Sequence, residues 1–218
     1  MRLYVGVAIM VFFIAVAILE WSSQKMMSCN HCRKEPCWCG PSGGGVIQVF
    51  SGGMFHVLDP RPEEICIEDI AHGLSMLCRF TGQVRKFYSV AQHSVYVSQY
   101  CDPADAMWGL LHDSSENYIA DVSRPAKSLP EMAAYKTIES RIMDAVMWQF
   151  GLSTEEPASV KRADILLCDI EARDLMSPAG MKWSWSGAAI GDCPLKITRG
   201  WSPEEAEERF MERYKELC

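Results

Sequence analysis

The chain has 218 residues, of which 49% are hydrophobic and 22% are charged, a composition typical of a folded globular protein rather than a disordered or fibrous one. Its formal net charge of −7 at pH 7 argues against a protein that coats DNA or RNA, although a small anionic nucleotide can still bind through local Arg and Lys side chains. The length suits one catalytic domain with an N-terminal extension.

Residues 1–27 contain an uninterrupted apolar run from Leu3 to Leu19, which is at the short end of what spans a bilayer as a helix. Three interpretations stay open: a membrane anchor, a signal peptide cleaved near residues 15–17, and a translation start near residue 26 that omits the run. The anchor is preferred among the three. The basic residues after the run then predict a cytoplasmic catalytic domain, which agrees with the scattered cysteines in the rest of the chain.

Residues 28–45 are predicted to form a Cys-rich and Gly-rich linker. Its thiolates, together with His31, could hold a zinc ion, and they come from Cys29, Cys32, Cys37 and Cys39. The two Cys pairs lie closer together than in strong zinc modules, so an unstructured or redox-labile cluster is preferred over a zinc knuckle. The glycines that follow indicate a flexible linker, and the catalytic domain is expected over residues 46–218.

The pattern of residues 46–218 predicts a mainly α-helical domain that opens with a small β-hairpin. Short apolar runs at Val46–Val49 and Met54–Val57 flank a Ser-Gly-Gly turn and predict the hairpin. Apolar residues at helical spacing then predict helices over about 63–78, 89–101, 104–120, 131–150, 158–176 and 203–216. The stretch from 177 to 201 has no clear period and is predicted to be a long loop.

Four polar residues in apolar helical surroundings point to a metal site. His112 and Asp113 are adjacent in one predicted helix, and Glu116 projects from a nearby part of the same face. His93 lies on the preceding helix and Asp164 on a later one. The two imidazoles and two carboxylates form a donor set suited to a divalent transition metal, with Glu116 free for proton transfer. Taken singly, each side chain also has a structural explanation, as a buried His or a paired helix Asp.

The order of His, His-Asp and Asp on successive helices resembles the HD phosphohydrolase superfamily. Further segments resemble its 5′-deoxynucleotidase-like members from bacteria, phages and prophages, and these segments are residues 69–82, 87–94, 112–121 and 160–164. The resemblance covers about residues 46–217. It implies an HD-domain helical bundle, preceded here by the apolar segment and the Cys-rich linker.

The resemblance also implies the reaction and the role of each residue. The reaction is removal of the 5′-phosphate from deoxynucleoside monophosphates by attack of a metal-bound water. One divalent metal, Co, Mn, Zn or Fe with Mg also compatible, is expected on His93, His112, Asp113 and Asp164. Glu116 takes the catalytic carboxylate position and Arg79 that of the phosphate-binding arginine. The substrate-binding set is completed by Asp121, near the sugar, and Phe80, which stands where related bacterial nucleotidases carry Trp.

Two other functions stay open, a dATP-type triphosphohydrolase and a noncatalytic, membrane-tethered nucleotide-binding HD module. All five histidines lie at or before residue 112, so the chain lacks the later His ligands of dinuclear HD enzymes and a single metal is favoured. His56 and His72 are expected to be structural. A solvated basic face is expected for Arg85, Lys86, Arg124 and Lys127. Related small HD nucleotidases make a homodimer a further expectation.

Overall fold

The structure, a computed structural model, describes residues 45–178, 187 and 195–218. The apolar run at 3–19, the Cys cluster and most of the loop predicted over 177–201 lie outside the described residues. One compact unit spans Val46–Cys218, and the preceding unit ends at Gly45. Within the described part of the chain, none of the helices has both the length and the apolar character needed to cross a bilayer.

The first described element is the predicted β-hairpin, which is confirmed. β1 (Val46–Gln48) pairs antiparallel with β2 (Met54–His56). The turn between them is closed by Gly52, whose φ of +89° is accessible to glycine at little cost. Phe55 on β2 is fully buried, and its ring stacks on that of Tyr118 with centroids 3.7 Å apart. This stack attaches the hairpin to the helices.

Helices make up most of the described chain, as predicted. Their bounds are α1 Ile67–Met76, α2 Val90–Tyr100, α3 Ala106–Leu111, α4 Glu116–Ile119, α5 Arg124–Lys127, α6 Ala133–Gln149, α7 Ala158–Leu175 and α8 Pro203–Leu217. Three short 3₁₀ turns begin with a proline and precede α1, α3 and α6 at Pro62–Glu64, Pro103–Asp105 and Pro130–Met132. These turns explain why the three helices start a few residues later than their apolar patterns predict.

α2 is the central helix of the domain. It packs against α1, α3, α7 and α8, and eight of its eleven residues are buried. Ser89 caps its start, because the Ser89 hydroxyl accepts a hydrogen bond from the backbone N–H of Gln92 at 3.1 Å. A helix that is enclosed on all sides buries its polar side chains as well as its apolar ones. The side chain of His93 is one of these buried polar groups and is 0% exposed.

The single helix predicted over 104–120 is wrong, because the structure divides it into α3 and α4. The backbone N–H groups of Ser114, Glu116 and Tyr118 bond to carbonyls three residues earlier, at distances of 3.0 Å, so the chain turns more tightly than an α-helix here. Buried Ser114 and Ser115 favour such a departure, since serine is a poor residue for a helix interior. In this tighter turn residues three apart are eclipsed, which brings Asp113 and Glu116 to the same side.

The chain that leads into α8 is tied to α2 by one side chain. The Gln92 carboxamide accepts from the N–H of Trp201 at 2.8 Å and donates to the carbonyl of Arg199 at 3.3 Å. Gly200 lies between them, and a Cβ at this position would be 1.7 Å from the carbonyl oxygen of Phe87. Only glycine allows this approach of two backbones.

Candidate metal centre and cavity

The first imidazole of the site comes from the middle of α2. Nδ1 of His93 donates to the Glu171 carboxylate on α7 at 2.6 Å. This bond leaves the other ring nitrogen, Nε2, with its lone pair directed toward α3 and α7.

The second imidazole follows the last residue of α3. Nδ1 of His112 donates to the carbonyl of Gly109 at 2.8 Å, so its Nε2 is also the free ring nitrogen. The Nε2 atoms of His93 and His112 lie 3.2 Å apart. Two lone pairs that face each other at this distance repel unless a proton or a metal ion lies between them.

Two carboxylates complete the group. Oδ2 of Asp113 is 3.2 Å from Nε2 of His112 and 3.7 Å from Nε2 of His93. Oδ1 of Asp164, from α7, is 3.3 Å from Nε2 of His93. The structure therefore brings together all four residues predicted as metal ligands.

The donor atoms fit a metal ion. One donor atom each from His93, His112 and Asp113 lies within 4.8 Å of the others, so these residues can hold a metal. With metal–nitrogen distances of about 2.0–2.1 Å, two nitrogens on one ion are about 2.9–3.4 Å apart in octahedral or tetrahedral geometry, which includes the separation seen here. Hydrogen bonds from both Nδ1 atoms fix the ring orientations, as is usual for metal-binding histidines.

The electrostatics of the group match that of a cation site. Burial disfavours a charged His112, but Asp113 outweighs burial and raises the pKa of the imidazole to about 9. Burial also opposes ionisation of Asp164, yet His93 lowers its pKa to about 2. The pKa of Asp113 is lowered despite burial, chiefly by His112. In the absence of a metal, protons on the imidazoles balance the carboxylates, and a divalent ion would replace them.

A cavity of about 420 Å³ opens beside the two carboxylates. Every residue predicted to bind substrate or to act in catalysis lines this cavity. The lining includes three cationic side chains, of which Arg79 is one, and several apolar side chains. The residues that line it are Arg79, Phe80, Thr81, Gln83, Asp113, Glu116, Asp121, Val122, Ser123, Arg124, Pro125, Lys127, Asp164, Cys168 and Met176.

Backbone strain is concentrated at this cavity. Phe80 and Thr81 have φ values of 55° and 52°, and Ala120, which precedes the cavity residue Asp121, has a φ of 68°. These are all the non-glycine residues with positive φ in the described chain. Strained residues of this kind persist where the surrounding structure holds them, and they cluster at functional sites.

Glu116 is the buried acid of the cavity. Its side chain is 5% exposed, Oε1 lies 3.5 Å from Nζ of Lys127, and Oε2 has no hydrogen-bond partner within the described structure. Burial raises its pKa well above the usual range, and the charges of Asp113 and Asp121 raise it further. Burial and the neighbouring carboxylates therefore favour the protonated form of Glu116, which can act as a general acid.

Arg79 lies between the candidate metal ligands and the cavity. Its Nη1 donates to Asp113 at 3.2 Å and its Nε donates to Glu171 at 3.1 Å. Nearby carboxylates raise its pKa despite burial, so the guanidinium is charged. Since a guanidinium has five N–H groups, donors remain for an anion in the cavity.

Glu171 was not predicted from the sequence, and the burial of Lys127 was not predicted either. Glu171 lies two helical turns after Asp164 on the same face of α7, and this spacing was the available signal. Lys127 lines the cavity instead of a solvated face. Arg124 is exposed, as predicted, but it also borders the cavity, and its Nη2 is 3.3 Å from Oδ2 of Asp164. His56 and His72, expected to be structural, pair with Glu64 and Glu207.

Comparison with known proteins shows the family of the chain. It is 35% identical to the uncharacterized protein YfdR of Escherichia coli (strain K12) over 171 residues, which cover 78% of this chain and 94% of YfdR. It is 32% identical to the uncharacterized protein RCAP_rcc00048 of Rhodobacter capsulatus over 188 residues, with coverage of 78% and 94%. The chain belongs to the same family as these two proteins. No protein-family model matches it.

Proposed function

We propose that this chain is a metal-dependent HD-domain phosphohydrolase that removes the 5′-phosphate from deoxynucleoside monophosphates. The observation that carries the proposal is one cavity in which residues that can hold a metal, a buried carboxyl with a raised pKa and an arginine meet. These are the parts that hydrolysis of a phosphate monoester requires.

His93, His112, Asp113 and Asp164 would hold the ion, one divalent transition metal. When bound, it supplies a Lewis acid that lowers the pKa of water and screens the charge of the phosphoryl oxygens. Arg79 binds the phosphate through its remaining N–H groups and places it beside the ion that Asp113 would hold, since Nη1 of Arg79 is bonded to Asp113.

Glu116 supplies the proton that the leaving group needs. As water forms a bond to phosphorus and the bond from phosphorus to O5′ breaks, the Glu116 carboxyl transfers its proton to O5′, and the nucleoside leaves as a neutral alcohol. One proton of the attacking water stays on the phosphate product, and the other returns to Glu116 and restores its carboxyl. The low exposure of Glu116 keeps bulk water from competing for this proton. Asp121 can accept a hydrogen bond from a sugar hydroxyl, and Phe80 offers a ring surface to the nucleoside.

The charge of the cavity favours a monophosphate over a triphosphate. Its lining contains three cations and four carboxyl groups. Burial raises the pKa of Glu116 and so favours its neutral form, in which the numbers of opposite charges are equal. A divalent ion then leaves a net charge of +2, which balances the charge of about −1.5 to −2 on a phosphate monoester. A triphosphate carries a larger negative charge than this cavity neutralises.

The test is phosphate release by the purified chain from deoxynucleoside mono- and triphosphates with Mn²⁺, Co²⁺, Mg²⁺ or Zn²⁺. Orthophosphate from monophosphates is expected, with a loss of about 10²–10⁴-fold in Glu116→Gln. Glu131→Gln is the matched control, because Glu131 is exposed and does not line the cavity. Tripolyphosphate as the product would replace the proposal by a triphosphohydrolase. A metal-loaded chain that binds nucleotides without turnover would replace it by a noncatalytic binding module.

A further inference from the structure

A carboxylate that the proposed reaction does not use lies behind the metal-binding group. Glu171 is on α7, and its side chain is fully buried. Oε1 accepts from Nδ1 of His93 at 2.6 Å and from the hydroxyl of Tyr88 at 2.9 Å, while Oε2 accepts from Nε of Arg79 at 3.1 Å. All three neighbours are donors, so both oxygens of an ionised carboxylate are satisfied.

The bonds around Glu171 link the two halves of the site. Through Oε1 the carboxylate contacts a metal-binding imidazole, and through Oε2 it contacts the arginine that faces the cavity. The same arginine bonds to Asp113, which is itself in the metal-binding group. Glu171 and Arg79 thus form a chain of hydrogen bonds from His93 to Asp113.

A purely structural role does not explain a carboxylate here. Burial of a carboxylate is costly unless the charge is fully paired, and an apolar side chain would fill the space between α2 and α7 without that cost. Tyr88 alone needs only one acceptor. A carboxylate has two acceptor oxygens on one rigid group, so it can hold the imidazole of His93 and the guanidinium of Arg79 at the same time.

We infer that Glu171 is a positioning residue that fixes His93 for metal binding with one oxygen and Arg79 for phosphate binding with the other. The role of Glu171 toward His93 follows from the geometry of the candidate metal ligands, and its role toward Arg79 rests on the proposed function. Glu171 contacts neither substrate nor metal in this scheme. Its effect passes entirely through the orientation of the two side chains that do.

The substitution Glu171→Gln separates positioning from charge burial. A glutamine has one acceptor oxygen and one NH₂ donor, so it can satisfy His93 or Arg79 and must present a donor to the other. Tyr88→Phe is the matched control, since it removes one bond to Glu171 and leaves the contacts with His93 and Arg79 in place.

The experiment measures Co²⁺ affinity by isothermal titration calorimetry, and inorganic phosphate affinity at saturating Co²⁺, for the full chain and its variants. Glu171→Gln is expected to weaken Co²⁺ binding about 10–100-fold, the usual effect of losing an outer-shell partner, and to weaken phosphate binding as well. Tyr88→Phe should keep the wild-type affinities. A folded Glu171→Gln chain that binds Co²⁺ and phosphate as tightly as wild type would overturn the inference.

Glu171→Asp keeps the test decisive if Glu171→Gln does not fold. It retains the charge that pairs with Arg79, but the shorter side chain cannot reach both partners, so weaker Co²⁺ binding is again expected. Equal affinity in a folded Glu171→Asp chain would overturn the inference. These measurements need no turnover. A chain that binds Co²⁺ without hydrolysing any nucleotide would refute the proposed function. The role of Glu171 toward His93 would still be decided by the Co²⁺ affinities of the variants.

Discussion

Replacing Lys127 by methionine should extend phosphatase activity to higher pH. Nζ of Lys127 lies 3.5 Å from Oε1 of Glu116 and 2.6 Å from Oε1 of Glu139. Burial raises the pKa of Glu116, and the positive charge of Lys127 opposes that effect. Without the cation the pKa of Glu116 rises further. A general acid acts only while protonated, so activity then persists to higher pH before it is lost.

The size of this shift can be worked from the distance between the two charges. Two unit charges 3.5 Å apart interact by about 1.2 kcal/mol at the dielectric constant of water, which corresponds to about 0.9 pKa unit. An effective constant of 20 would give about 4.7 kcal/mol, but Glu139 shares the ammonium and Lys127 is partly exposed to solvent. We therefore expect a shift of about 1–2 pH units.

The assay is kcat/KM for a deoxynucleoside monophosphate as a function of pH, since this ratio reports the pKa values of the free enzyme. Lys127→Arg is the control, because it keeps a cation beside Glu116 and should leave the basic limb near its wild-type position. If the basic limb of Lys127→Met stayed in place or moved to lower pH, the assignment of Glu116 as an acid held in check by Lys127 would be refuted.

Three further predictions concern stability. Co²⁺ at 100 times its Kd should stabilise the fold by about 2.7 kcal/mol in thermal unfolding, an effect that Asp113→Asn removes by deleting a ligand charge. In EDTA the chain should lose stability as pH rises from about 6.5 through about 9, because Asp113 outweighs burial and raises the pKa of folded His112 to about 9. The stabilisation is complete only below about 6.5, the pKa of the unfolded imidazole, and urea midpoints measured against pH would show its loss. Phe55→Ala should cost about 3–5 kcal/mol in urea unfolding, since it removes the buried ring that stacks on Tyr118.

Each of these predictions has an outcome that contradicts it. Equal stabilisation of wild type and Asp113→Asn by Co²⁺ would mean that the ion binds elsewhere. A His112→Gln chain in EDTA should show a flatter pH dependence, and an unchanged slope would rule out His112 as its source. For the hairpin, the exposed neighbour Met54 provides a Met54→Ala control, and an equal loss in both variants would mean that the stack contributes little.

Helical periodicity predicted most of the fold because long amphipathic helices leave a clear pattern. The limits predicted for α2, α7 and α8 agree with the structure to within one or two residues. The division of residues 104–120 was missed, since Leu111 and Tyr118 are seven residues apart, which is two turns of a continuous helix, although residues 112–117 between them are all polar. Backbone hydrogen bonds to carbonyls three residues earlier, together with packing of the site, override the helical pattern there.

The candidate site was predictable to the extent that its residues stand out in apolar surroundings. His93, His112, Asp113 and Asp164 have that character, and the structure brings them together. Glu171 does not stand out, because charged neighbours on α7 hide it among ordinary helix residues. The position of Lys127 inside the cavity depends on how α5 folds back after strained Ala120, and no periodicity in the sequence encodes that turn.

The bonds from Gln92 to the chain before α8 limit how relatives of this protein can diverge in length. One carboxamide pairs with a carbonyl and an N–H that are two residues apart, so an insertion between Arg199 and Trp201 would break one of the two bonds. Gly200 between them has no room for a side chain. Insertions and deletions in this region should therefore accumulate before Arg199, where the chain can change length without shifting the helix that carries His93.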